Sequence, residues 1–324
     1  MRLAVALLAV VVASPVAAGP LWRDVARGDM RRRTAAIEEG NLHLREARDR
    51  RSRLDRGAPT RTPVFDPARA ALAAYERALA LGPEDPDLHF RALSAAKLVA
   101  EDGGICHACR DGYEAVVRHV EALRRLDPLD SREVDYAWEM SVALSKLGAL
   151  GGPQADQHFI RAIEEYERWR QLVDETDPQL ARSLSTCYSN AAELLMAVGR
   201  LDDAIAQYET AIELNPIEPL GYFGLAVAYD RDGQWNKAVA AMNEGLNRPP
   251  GLGRLESPEV FFVPEGEIYY YYALAHQVMG ADPALVSAEY TRFLSRARAS
   301  KYAARAREHQ AEVSRGAPPE TSSR

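Results

Sequence analysis

Residues 185–218 and 219–252 overlay at a shift of 34, and no other feature of the chain limits its fold as tightly. Tyr188 meets Tyr222, Ala192 meets Ala226 and Gly199 meets Gly233. Ala204 then meets Ala238, and Pro216 meets Pro250. Within each copy, apolar side chains recur at helical spacing, as in Ala204, Ile205, Tyr208, Ala211 and Ile212. Gly199 and Gly233 suit the left-handed turn that ends a first helix. Pro216 and Pro250 cannot continue a second helix and mark its end. The small residues at 192, 204, 226 and 238 let two helices approach closely, and Tyr188, Tyr208, Tyr222 and Met242 fill the space between them.

The second copy reads Tyr222-x2-Leu225-Ala226-x2-Tyr229…Ala238-x3-Met242…Pro250. The first reads Tyr188-x2-Ala191-Ala192-x2-Leu195…Ala204-x3-Tyr208…Pro216. This pattern resembles the tetratricopeptide repeat, W-x2-L-G-x2-Y…A-x3-F…P, with an aromatic for Trp and Ala for Gly. The resemblance implies an all-α fold: an α-solenoid, a right-handed superhelix of about six antiparallel helix pairs. It also implies a non-catalytic scaffold or adaptor that holds other proteins or peptides in the concave groove lined by the first helix of each repeat.

Weaker copies flank the central pair. Ala71-x3-Tyr75…Ala78…Pro83 reads as a second helix, with Thr34–Arg50 as its first, displaced by the Gly57–Asp66 loop. Asp66-Pro67 reads as an N-cap followed by Pro at the first helical position. Pro128 ends another second helix over Tyr113–Leu126, in a repeat that carries an 11-residue insertion. Asp130 with Glu133 reads as a capping box opening a helix to Lys146, paired with Asp156–Val173. Glu265–Met279 and Pro283–Ala297 form a last pair, and Lys301–Ser314 an amphipathic helix expected to cap the open end of the stack. Residues 61–315 are thus the repeat domain, preceded by a helical arm over 19–60 and followed by a disordered tail over 316–324.

The first eighteen residues read as a cleaved signal peptide. Arg2 is the basic start, Leu3–Ala13 an unbroken apolar run, and Val16-Ala17-Ala18 a small-residue cleavage site before Gly19. Eleven helical residues span roughly 17 Å, short of the ~30 Å hydrocarbon core, so a cleaved leader fits better than an anchor. No later segment is apolar enough to span a bilayer. Arg outnumbers Lys 36 to 4, which points to a GC-rich bacterial genome and, with the leader, to a periplasmic or extracellular protein.

The net charge of −7 gives no global basic field for nucleic acid. From Arg23 to Arg61, twelve Arg face seven Asp or Glu, but acids interrupt the run throughout, as on a solvated helix.

Little in the chain suggests catalysis or a cofactor. The seven His form no H-x3-H or H-E-x-x-H pair, and neither G-x-S-x-G nor a P-loop occurs. Cys106-His107-Ala108-Cys109 is the chemically suggestive group. In an oxidising compartment it reads as a short-loop disulfide between Cys106 and Cys109. A thiol-disulfide or metal-linked factor using this insertion is the alternative. Cys187 reads as a small apolar residue on a repeat helix.

Carried over from the family, the groove positions are Thr186, Ser189, Glu193 and Met196 in one repeat, and Leu220, Phe223, Val227 and Asp230 in the next. Glu267, Tyr270 and Gln277 follow in the last. Ser189 and Glu193 stand where a carboxylate clamp would carry cations, so the expected ligand is a neutral or basic segment with an apolar anchor. Within Tyr269–Tyr272, Tyr269 and Tyr272 are expected to pack, leaving Tyr270 and Tyr271 toward the groove.

Overall fold

The computed structural model describes residues 20–56, 65–100, 109–257, 260, 262, 265–298 and 300–315. The leader, Cys106 and the tail from 316 lie outside the described residues. Among the described residues there is no strand, and no helix is long and apolar enough to cross a membrane.

Six helix pairs follow one another in a solenoid. They are α1 (Pro20–Asp55) with α2 (Phe65–Ala80), α3 (Pro86–Ala100) with α4 (Arg110–Leu126), and α5 (Glu133–Ala149) with α6 (Ala155–Leu172). Then come α7 (Ala181–Val198) with α8 (Leu201–Leu214), α9 (Pro219–Arg231) with α10 (Trp235–Leu246), and α11 (Ile268–Val278) with α12 (Pro283–Arg296). A last helix, α13 (Ala303–Arg315), packs on α12. The first helix of each pair folds back on the second, and α7, α9 and α11 also touch in sequence, giving a shared inner face.

The period is visible in the packing. Ala192, Ala204, Ala226 and Ala238 are all fully buried, as close helix approach requires. Tyr208, Met242, Leu225, Tyr222 and Tyr229 are buried beside them, while Tyr188 is half-buried with the Arg170 guanidinium 4.4 Å above its ring. At Gly224, an added Cβ would run into the Tyr208 ring, so only glycine lets α9 lie this close to α8. Gly199 (φ 89°) and Gly233 (φ 78°) end α7 and α9 in the left-handed conformation. At each, the next residue's N–H closes the turn, Arg200 N–H to Leu195 O (2.8 Å) and Gln234 N–H to Tyr229 O (2.8 Å). Gly280 (φ 68°) repeats the device after α11, with Ala281 N–H to His276 O at 2.9 Å. Pro216 and Pro250 follow α8 and α10, and the Pro216 carbonyl accepts from Arg248 Nε at 2.6 Å, tying adjacent repeats.

Three details differ from the sequence expectation. Asp130 does not cap α5 through a capping box; it folds onto Arg132, accepting from its backbone N–H (2.9 Å) and guanidinium, and from Tyr136 Oη (2.8 Å). Tyr270 and Tyr271 are buried, while Tyr269 and Tyr272 are half-exposed. Tyr270 instead packs its ring on Tyr290 and Phe293 of α12, and Tyr271 on Phe262. Finally, α13 does more than close the end of the stack: its side chains reach back to α9 and α7.

Candidate functional site

Asp230 is the centre of the inner face in the C-terminal half. It lies in the last turn of α9 and is fully buried. Its Oδ1 accepts from Arg305 Nη2 (2.8 Å) and contacts His309 Nε2 (2.8 Å), both on α13. Its Oδ2 accepts from Tyr270 Oη on α11. Burial opposes ionisation of this carboxyl, yet the His309 and Arg305 charges hold it down to about 2. Burial also works against a charged His309, but Asp230 and Glu312 outweigh it and raise the imidazole above its ordinary value. The His309 ring stacks on Tyr290 (5.4 Å, 3°) and meets Trp235 at 5.6 Å.

A second ionic group lies one turn away. Arg231 pairs with Glu267 with both side chains almost fully buried, and its guanidinium sits 4.1 Å over the Tyr302 ring and 4.8 Å over Tyr270. Glu267 also accepts from Ser300 Oγ (2.6 Å), and Tyr302 Oη donates to the Met196 carbonyl at the end of α7 (2.8 Å). Lys301 Nζ reaches Asp156 at the start of α6 (3.0 Å). Residues 300–309 thus return across the ends of three first helices. Glu193 accepts from Tyr208 (3.1 Å) and Tyr271 (2.7 Å), and burial pushes its carboxyl up.

Of the expected groove residues, Glu193, Met196, Val227, Asp230, Glu267 and Tyr270 are buried, while Ser189, Leu220 and Gln277 are half-buried and Thr186 is exposed. Asp230 and Tyr270 meet directly. Phe223 turns away to its own partner helix: a Cβ on Gly245 of α10 would stand 2.6 Å from its ring. Tyr302, just before α13, and Arg305 and His309 on it were not among the expected site residues, although their i, i+3, i+7 spacing suits one helical face.

In the N-terminal half, no helix among the described residues lies over the inner face. Lys97 of α3, Tyr113 of α4, and Trp138, Glu139, Val142 and Lys146 of α5 line a cleft of ≈ 300 Å³. Lys97 pairs with Glu139 across it. Burial lowers the Lys146 ammonium to about 8. A neighbouring cleft of ≈ 400 Å³ lies between the α5–α6 turn and Ser300–Tyr302.

The chemistry of nucleophiles is muted. Cys187 is free, and burial pushes its thiol up to about 12. Cys109 is buried and disulfide-bonded, and Cys106 lies outside the described residues. His89 and His119 form a buried pair (Nδ1···Nδ1 3.0 Å), with burial holding His119 down to about 3. Among the described residues no three His, Cys, Asp or Glu side chains converge as metal ligands.

The fold is therefore that of an α-helical repeat protein. More particularly, residues 192–233 match the family model described as TPR repeat, so the chain carries tetratricopeptide repeat sequence at its centre. It is similar to the TPR repeat-containing protein MJ1428 of Methanocaldococcus jannaschii, 25% identical over 142 residues. That alignment covers 41% of this chain and 24% of the relative, so the chain spans about a quarter of that protein's length. Among solved structures it is similar to YrrB, a TPR protein with an unusual peptide-binding site, at 18% identity and TM-score 0.44, covering 70% of this chain and 98% of that one. MamA follows at 18% identity and TM-score 0.34, covering 58% and 91%.

Proposed function

We propose that the chain is a non-catalytic protein-interaction scaffold, exported from a bacterial cell, that holds segments of partner proteins on the inner face of its first helices. The observation that carries this reading is the inner face itself. In one half it is an open cleft of ≈ 300 Å³ with charged and aromatic walls at Lys97, Glu139 and Trp138. In the other it already accommodates a helix. Repeats of this type serve protein–protein interaction, and the buried thiol of Cys187 argues against nucleophilic chemistry.

The test is site-specific photo-crosslinking in the native host. A crosslinker at Val142, in the cleft, should capture a discrete partner, while one at Leu129, on an exposed outer turn, should not. Equal capture from both positions refutes the inner-face reading. Export is tested separately: the mature chain should fractionate with the envelope and begin at Gly19.

A further inference from the structure

The inner face of α7, α9 and α11 carries an occupant from its own chain, and the way α13 is held differs from the way the other helices are held. Its buried residues are Ala306, His309 and Glu312, so two of the three are ionisable. By contrast, α9 buries eleven residues, from Pro219 to Asp230, nearly all apolar. Hydrophobic burial scales with apolar area, so α13 draws little from that source. Besides its packing on α12, it is held by Arg305 and His309 on Asp230, and the turn just before it by Tyr302 on the Met196 carbonyl and Lys301 on Asp156. His309 Nδ1 in turn faces Glu312 Oε2 of α13 itself at 3.4 Å.

The surface beneath it is complementary in charge. Asp230 lies on the floor, and Arg305 and His309 face it from α13, while Glu267 beside it is paired with Arg231. Removal of α13 would take both cationic partners from Asp230 and leave Tyr270 as its remaining described donor. The floor at Asp230 therefore favours a cationic occupant, supplied either in cis or in trans.

We propose that α13 is a displaceable ligand held in cis, and that the C-terminal half of the inner face takes a partner helix of the same chemistry: an aromatic, an arginine and a second cation at the spacing Tyr-x2-Arg-x3-His. This rests on the scaffold reading and names the partner for one part of that face. The occupant in cis sets the threshold. A ligand's apparent affinity falls by the fraction of molecules whose site is open, so only a partner that outcompetes α13 is retained.

The experiment uses the full chain and a fluorescent peptide copying residues 300–315. Wild-type protein should bind it weakly. A chain with Arg305→Ala and His309→Ala, whose own helix lacks its two cations but whose floor is intact, should bind it on the order of tenfold more tightly or better, one peptide per chain. Adding Asp230→Asn should abolish that gain, and a scrambled peptide should not bind. Equal binding by wild type and the double variant overturns the proposal, as does binding of two chains through exchanged α13 helices, read as a dimer by light scattering. Amide hydrogen exchange on wild type supplies a second reading that needs no variant. The α13 amides should exchange as a unit well before those of α9; exchange of α13 together with α9 refutes a displaceable helix. The crosslinking test at Val142 does not involve α13, so failure of this proposal and failure of the scaffold reading remain distinguishable.

Discussion

The two halves of the solenoid hold their ion pairs at different depths. From α1 to α6, exposed arginine–carboxylate pairs run along the solvent side: Arg77 to Glu39 joins α2 to α1, and Arg118 to Glu76, Arg161 to Glu121 and Arg125 to Glu84 link successive helix pairs. From α7 to α13 an ionic group is buried, where Asp230, His309 and Arg305 meet and Arg231 pairs with Glu267. Exposed pairs contribute little each, whereas a buried group stripped of its partner is strongly destabilising. The N-terminal half can thus leave its inner face open, while the C-terminal half favours something cationic lying on it.

The largest effect is expected from Ala226→Arg, which forces volume and charge between α9 and its neighbours and should cost at least ~4 kcal/mol. Because stability in a repeat stack is built from neighbouring interfaces, hydrogen exchange should show the C-terminal half melting first. Simultaneous loss of both halves would contradict their separate character. Asp230→Ala should follow, at about 3–5 kcal/mol by denaturant unfolding, because Arg305 and His309 lose their partner. Leu225→Ala should cost about 2–5 kcal/mol as a buried truncation. Arg118→Ala, on the exposed ladder, should cost less than ~1 kcal/mol. A cost for Arg118→Ala as large as that for Asp230→Ala would erase the contrast.

A pH titration addresses the inner cluster alone. The His309 value is raised on folding, so its contribution is complete below the ordinary histidine pKa of ~6.5 and fades as pH rises through the folded value. The Asp230 value is lowered to about 2, so its contribution is complete above ~3.9 and is lost on acidification toward 2. Facing His309 are Asp230 from α9, Tyr270 from α11, Tyr290 from α12, and Arg305 and Glu312 from α13 itself. Protection of the α13 amides should therefore be greatest between about pH 4 and 6.5 and decline on the alkaline side. His309→Gln should flatten that decline, and an unchanged alkaline decline in that variant would remove His309 as its source.

The repeat was legible because its determinants are local. Ala192, Gly199, Ala226 and Gly233 recur at 34, and each has a conformational or packing reason within its own helix pair. Asp230, Glu193 and Tyr270 were legible as inner-face residues, but not as buried ones. Asp230 meets side chains 75 and 79 residues further along, Arg305 and His309, and Glu193 meets Tyr271, 78 residues on, none of which a period links to them. The insertion between α10 and α11 also broke the count, so the partners that bury Tyr270, Tyr290 and Phe293 of α12 and Asp230 of α9, left no mark at the period. Gly224 was missed for a different reason: its role lies in the distance to the Tyr208 ring, a property of two helices rather than of one.

The return of Lys301 and Tyr302 to Asp156 and Met196, across 145 and 106 residues, has a consequence for how each molecule is made. Chains are synthesised from the amino end, and early units fold while later ones are still emerging. The surface around α7 and α9 is therefore assembled before its covering helix has left the ribosome or reached its final compartment. Every molecule passes once through a vacant state with Asp230 on its floor, and whatever is nearby in that interval competes with residues 300–315 on a first-come basis.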